Sequence, residues 1–444
     1  MKIRLTALLF LGLTWLPVSA HAVDIKEVIS PGGIKAWLVE EPSIPLIALE
    51  FEFDGGASAD PAGKEGLAYL TSGLLNEGAG DLDALAFQKQ LEERAIQMGF
   101  DAGRDYFTGS LKTLSEERDE AFRLLGLALS EPRFDADAVE RVREQVLSIQ
   151  RRESDRPRTV ASRAWMSHAF EGHPYARNRK GDEASVTALT RDDLIAYLQA
   201  NLAKDTLRVG VVGDITPEEL GPLLDVAFGA LPTEAAPLAL TETEIGDVNR
   251  IEVVDKAVPQ SVAIFGLPGI RRDDPDWFAA LVMNQILGQG GFSSRLMEEV
   301  RRKRGLTYGV YTYLLPMQHA GVILGSVATV NDRMAESKQV IEAEFARMAA
   351  DGVTQKELDD AKTYLTGSYA LTFDTSDAIA GQLVGIQRYG LGRDYIDNRN
   401  SMIEKITLDD VNRVAADLLG QEELFWVIVG QPVGLDTPVA ETQP

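Results

Sequence analysis

The chain has 444 residues, 45% of them apolar, and a formal net charge of −24. Its length calls for two or more domains, and its apolar content excludes wholesale disorder. The excess of carboxylates excludes nucleic acid as a partner, and the absence of cysteine excludes disulfides, thiolate metal sites and a cysteine nucleophile.

The first elements belong to export. Lys2 and Arg4 form a basic start, residues 5–16 are a short apolar run, and Ala20-His21-Ala22 places small residues at a cleavage site. This pattern predicts a signal peptide over 1–22, cleaved after Ala22. In a Gram-negative host the mature protein would be periplasmic. No later run is apolar and long enough for a span, so the mature chain is expected to have none.

The rest of the chain reads twice. An apolar strand over 45–53 is followed by a helical segment over 64–76 and an amphipathic run over 116–129. Thr190-Arg191-Asp192-Asp193 then has the form of a helix start, with an N-cap hydroxyl and acids in the first turn, and an apolar strand over 207–214 follows. The same order returns about 210 to 220 residues later, which predicts a duplication: a strand over 261–266, a helix over 275–287, an amphipathic run over 334–349, a second helix start at Thr407-Leu408-Asp409-Asp410, and a strand over 424–430. The predicted fold is α+β, with two homologous α/β-sandwich domains, each a mixed or antiparallel sheet packed by helices. The predicted divisions are a first domain over 23–232, a Pro/Thr/Glu-rich linker over 233–250, a second domain over 251–430 and a flexible tail over 431–444.

Candidate chemistry is sparse. After signal removal only His168, His173 and His319 remain, and Gly172 and Pro174 break any helix between the first two. They cannot form the i, i+4 pair of a zinc helix, and each is better read as a packing or loop residue. There is no G-x-S-x-G elbow, no phosphate loop and no calcium loop. The glycine-rich stretch 288–293 lacks the third glycine of a dinucleotide fingerprint.

Two segments carry a resemblance. G-L-A-Y-L-T-S-G-L-L-N-E-G at 66–78 resembles the G-x-A-H-x-x-E-H-x-L-x-x-G helix of the pitrilysin-like (M16, insulinase-family) metallopeptidases. Where that family has histidine, glutamate and histidine, this chain has Tyr69, Ser72 and Gly73, none of them an adequate zinc donor. The family's third ligand, a downstream glutamate, falls near Gln150, on a helix that also carries Glu140 and Glu144. Those two glutamates are most simply a solvated face. H-P-Y at 173–175 also resembles a family loop.

The second segment, G-G-F-S-S-R-L-M-E-E-V-R-R-K-R-G-L-T-Y-G-V at 290–310, resembles the family's S-R-L-x-x-x-L-R-E-K-x-G-L-A-Y-x-V. Ser293 or Ser294 would cap a helix ending in the cations 301–304, Gly305 would stop it in a left-handed turn, and a strand would follow with Tyr308 and Val310 on one face. The resemblance makes Arg301 and Tyr308 the pair that reaches the substrate, for substrate binding and oxyanion stabilisation in trans. The plainer alternative is that Arg301 complements the helix dipole and Tyr308 is an ordinary strand aromatic.

The resemblance implies the non-metal-binding subunit of a bacterial two-subunit protease. This chain itself would bind no cofactor. Zinc would sit in a partner homologue carrying H-x-x-E-H, and the shared substrate would be an extended peptide. The alternatives are a peptide-binding, chaperone-like homodimer that does not cut, and a structural assembly subunit.

Overall fold

Two six-stranded sheets, one from each half of the chain, dominate the computed structural model, which describes residues 24–238, 240–246, 251–420, 423–435 and 439–440. The expected signal peptide lies outside the described residues. The first half runs β1 (Lys26–Ile29), β2 (Lys35–Glu40), β3 (Leu46–Asp54), α1 (Leu67–Leu74), a small hairpin of β4 (Gly78–Ala79) and β5 (Leu82–Asp83), and α2 (Ala84–Glu93). It continues through β6 (Gln97–Ala102), β7 (Tyr106–Leu114), α3 (Arg118–Ser130), α4 (Ala136–Ser154), α5 (Pro157–Ala169), α6 (Glu183–Ala188), α7 (Arg191–Asn201), β8 (Arg208–Gly213) and α8 (Pro217–Phe228).

The second half runs β9 (Ile251–Asp255), β10 (Gln260–Pro268), α9 (Trp277–Asn284), β11 (Val310–Pro316), β12 (Gly321–Val330) and α10 (Met334–Asp351). It ends with α11 (Gln355–Gly367), α12 (Ser376–Arg388), α13 (Tyr395–Glu404), α14 (Leu408–Leu419), β13 (Phe425–Gly430) and β14 (Val439–Ala440).

The sheets share one topology. Their orders are β1-β2-β8-β3-β7-β6 and β14-β9-β13-β10-β12-β11. In both, one inner pair is parallel (β2 with β8, β9 with β13) and the next three pairs are antiparallel. Only the outermost strands differ, β1 being antiparallel to β2 and β14 parallel to β9. The tail expected to be loose therefore contributes a strand, because β9 leaves a free edge that backbone groups can pair with.

Local sequence explains the elements. Thr190 and Thr407 each cap a helix, their hydroxyls accepting from the amide three residues on while Asp193 and Asp410 reach back. The repeated Thr-x-Asp-Asp pattern predicts these two helix starts, and the structure completes each as a capping box. On β3, Leu49, Phe51 and Phe53 enter the first core beneath α1, α3, α7 and α8. Glu50 and Glu52 alternate onto the opposite face.

That opposite face is covered by the other half. α12 lies across β3 and β8, packing Ala380 and Leu383 on Val212. The approach is so close that a Cβ at Gly210 would stand 2.4 Å from the Ala380 carbonyl oxygen. Reciprocally, α5 lies across β10 and β13, where buried Trp165 donates its indole N–H to the Phe425 carbonyl at 3.1 Å. Each half thus lends a helix to the other's sheet.

Candidate functional site

In the first half the site is built on α1. Gly66, in a left-handed conformation, precedes the helix, and the buried Asp60 carboxylate accepts from Gly66 N–H at 2.8 Å and Ala68 N–H at 2.9 Å. Burial pushes the Asp60 carboxyl up to about 7, against those two donors.

Tyr69, Ser72 and Gly73 occupy the face of α1 toward α4 and the 176–180 loop. The Arg179 guanidinium lies 5.6 Å and the Lys180 ammonium 5.3 Å from the Tyr69 ring centroid. Ser72 donates back to the Tyr69 carbonyl at 2.8 Å. A Cβ on Gly73 would meet a Val142 methyl at 3.1 Å. On α4, Gln150 is turned into the Lys180 carbonyl, donating at 2.7 Å. Glu140 and Glu144 point outward to Arg143 and Arg151.

This set does not fit Zn²⁺. A dication needs two to four anionic or imidazole donors, and this position offers a phenol, an engaged hydroxyl and two overhanging cations. Among the described residues no group of three His, Asp or Glu side chains could hold a metal ion. The histidines sit apart in local contacts, His168 Nδ1 standing 3.0 Å from a Glu252 carboxylate oxygen. His173 Nδ1 accepts the Tyr175 amide at 3.1 Å and burial lowers its pKa. Buried Tyr175 accepts the His319 amide through its hydroxyl at 3.0 Å.

In the second half the site begins where α9 passes into a π-helical stretch over Gln285–Gln289. Asn284, fully buried, anchors it by donating to Gln289 at 2.9 Å and accepting from the Thr312 hydroxyl at 2.7 Å. The loop that follows carries Phe292. A short helix then starts at Ser294, whose hydroxyl accepts the Met297 amide at 3.4 Å, and becomes π-helical over Met297–Arg302. Gly305 (φ 63°) ends it in the left-handed turn that the sequence predicts.

The neighbours of Arg301 are all paired. Arg302 meets Glu298 at 2.6 Å, and Lys303 and Arg304 both meet Glu299 at 2.7 Å. Arg301 meets no acid among the described residues, and its guanidinium lies 4.6 Å from the centroid of the Phe292 ring, which is 66% exposed. Tyr308 is not on a strand. It projects from the turn ahead of β11 and is 88% exposed. The turn is held by Thr307, whose hydroxyl donates to the Ala328 carbonyl at 2.7 Å and accepts the Gly309 amide at 3.1 Å. With its anchor immediately before it, Tyr308 is presented rather than packed.

Sequence reasoning missed three contributors. Phe292 gave no signal, because a lone aromatic in a glycine-rich loop has no period. Arg179 and Lys180 did give one, since A-R-N-R-K at 176–180 is a basic run in a strongly acidic chain.

A family model described as "Peptidase M16 inactive domain" matches residues 188–365. Over 415 residues the chain is 29% identical to a non-peptidase homolog, YmxG, of Helicobacter pylori, covering 93% of this chain and 94% of that protein. It is 24% identical over 407 residues to an uncharacterized zinc protease of Mycobacterium leprae, covering 91% of each. The crystal structure of a peptidase M16 inactive domain from Pseudomonas fluorescens superposes with a TM-score of 0.86 at 31% identity, covering 94% of this chain and all of that one.

Proposed function

The chain belongs to the peptidase M16 family, and on that premise we propose that it is the zinc-free subunit of a periplasmic two-subunit protease, binding an extended peptide and orienting it for a partner that carries H-x-x-E-H. The observation that carries this reading is the state of Arg301. Of four consecutive cations it alone is left without an acid among the described residues, and it is held on an exposed aromatic ring in the same stretch of chain that presents the exposed Tyr308 phenol. Helix-dipole complementation would require no such arrangement.

In this role Arg301 donates to a peptide carbonyl, and the Tyr308 hydroxyl donates to the oxyanion that develops when the amide is attacked. The partner supplies metal and water; this chain supplies position and hydrogen bonds. Strand β11 is the free edge of the second sheet, and an extended peptide or the partner's own strand pairs with such an edge through main-chain hydrogen bonds.

The test is co-purification of the tagged protein from its host, followed by turnover of the recovered pair with Tyr308→Phe in place. Recovery of an H-x-x-E-H homologue in equal amount, with turnover lowered and assembly intact, is the expected result. Normal turnover in that variant would remove the catalytic role. Recovery of only this chain would leave the peptide-capturing homodimer.

A further inference from the structure

A cavity of about 530 Å³ opens between the end of α4, the length of α5 and the 176–180 loop, beside the vacated metal position. In a chain of net charge −24 its lining is cationic: Arg104, Arg163, Arg177, Arg179 and Lys180, against Glu153 as the one acid. Glu153 shows what this cluster does with a carboxylate. Its two oxygens are taken by Arg163, at 2.5 Å, and by Lys180.

The other three cations are pinned mainly by backbone carbonyls. Arg104 donates to Tyr175 O at 2.5 Å, Arg177 to Asp60 O at 2.9 Å and Arg179 to Ala102 O at 3.0 Å. Carbonyls fix a guanidinium in place without neutralising it. Two of them also pair with acids that do not line the cavity: Arg177 with Glu65 at 3.7 Å, and Arg179 with Asp101 at 3.3 Å. Arg104 makes no ion pair among the described residues; Asp105 acts on it only at longer range, and burial lowers its proton affinity. The hydroxyls of Thr159, Ser162 and Ser167, which make no hydrogen bond among the described residues, add donors to the same wall.

We infer that this cavity is a second binding site, one that takes a peptide carboxylate, either the free C-terminus or an acidic side chain, between Arg104, Arg177 and Arg179. Pre-placed guanidinium forks match a carboxylate in two-point geometry, and no ordering of long side chains is needed on binding. The site lies wholly on the first half and needs neither zinc nor a partner. Its failure would leave the Arg301–Tyr308 reading standing, and the reverse also holds.

Titration calorimetry on the full chain tests it with three short acetylated alanine peptides: one with a free C-terminal carboxylate, one amidated, and one amidated but carrying central glutamates. The expected result is binding of the first or third, not of the neutral amide. Arg179→Gln, at a partly exposed position, should weaken binding by about tenfold, and affinity should fall with salt. Thr159→Val, which removes no charge, serves as a second variant and should weaken binding less. Equal binding of all three peptides, binding of none, an unaffected Arg179→Gln variant, or binding of inorganic phosphate alone would overturn the assignment.

Discussion

The guanidinium of Arg388, on α12 of the second half, grips the carboxylate of Glu52, on β3 of the first, with Nε 2.9 and 3.0 Å from its two oxygens. Glu52 has no solvent exposure. Arg208 stands 3.5 Å from it while pairing with Asp54 at 2.8 Å, and the Tyr106 ring lies 4.2 Å from the Arg388 guanidinium. A buried charge with its partner removed is strongly destabilising, whereas an apolar replacement of both is often tolerated. Arg388→Ala should therefore cost about 3–5 kcal/mol in denaturant unfolding. The double change Glu52→Leu with Arg388→Met should recover most of it, and a small loss in the single variant would show that Arg208 suffices for Glu52.

Phe292 is the platform for Arg301. An exposed cation–π contact contributes about 0.5–1 kcal/mol. If the proposed pairing with a zinc-bearing subunit holds, Phe292→Ala should raise the KM of that pair by a few-fold while leaving the melting temperature unchanged, since the ring is 66% exposed. An unchanged KM would mean that Arg301 holds its position unaided.

Glu50 makes the α12 contact sensitive to pH. Burial, aided by the charge of Asp377, pushes its carboxyl up to about 7 from an ordinary 4.5. Asp377 is itself paired with Lys112 at 2.6 Å. The folded protein binds the proton more tightly than the unfolded chain between those pH values. Stability from this group is thus complete below pH 4.5 and lost as pH rises through about 7. With its partial solvent contact discounted, the loss should be about 1–2 kcal/mol. Glu50→Gln should flatten this segment of the stability–pH curve, and a curve parallel to the parent's would exclude Glu50 as its source.

Restoring the motif should not restore the metal. The triple variant Tyr69→His, Ser72→Glu, Gly73→His keeps Arg179 and Lys180 over the position, and Gln150 near where the family resemblance calls for a carboxylate. Metal analysis after dialysis should find far less than one zinc per chain. Stoichiometric zinc would show that the basic loop moves aside easily.

The duplication, the fold class and the helix caps were legible because each rests on local chemistry: alternation in β3, threonine and aspartate three apart, glycine at 305. The loss of the zinc donors was legible for the same reason. What replaced them was not. Arg179 reaches Tyr69 from 110 positions later in the chain, and no periodicity reports such a contact. The strand expected at Tyr308 failed because Thr307 ties the turn to Ala328, which holds the chain out of the ladder until Val310. That Arg301 meets no acid among the described residues could be seen only once its three neighbours had found their glutamates.

The exchange of α5 and α12 bears on how this molecule is made. As the chain emerges from its N-terminus, the first sheet can form, yet its outer face and the Glu52 carboxylate stay uncovered until α12 arrives from deep in the second half. Each half has its own core, but one face of each sheet is covered only by the other half, through contacts as distant in sequence as Arg388 with Glu52. Such a topology folds slowly and only after the chain is nearly complete. It also means that a cut in the connection between the halves need not be fatal: two separately made fragments each hold the piece the other lacks, and should find one another.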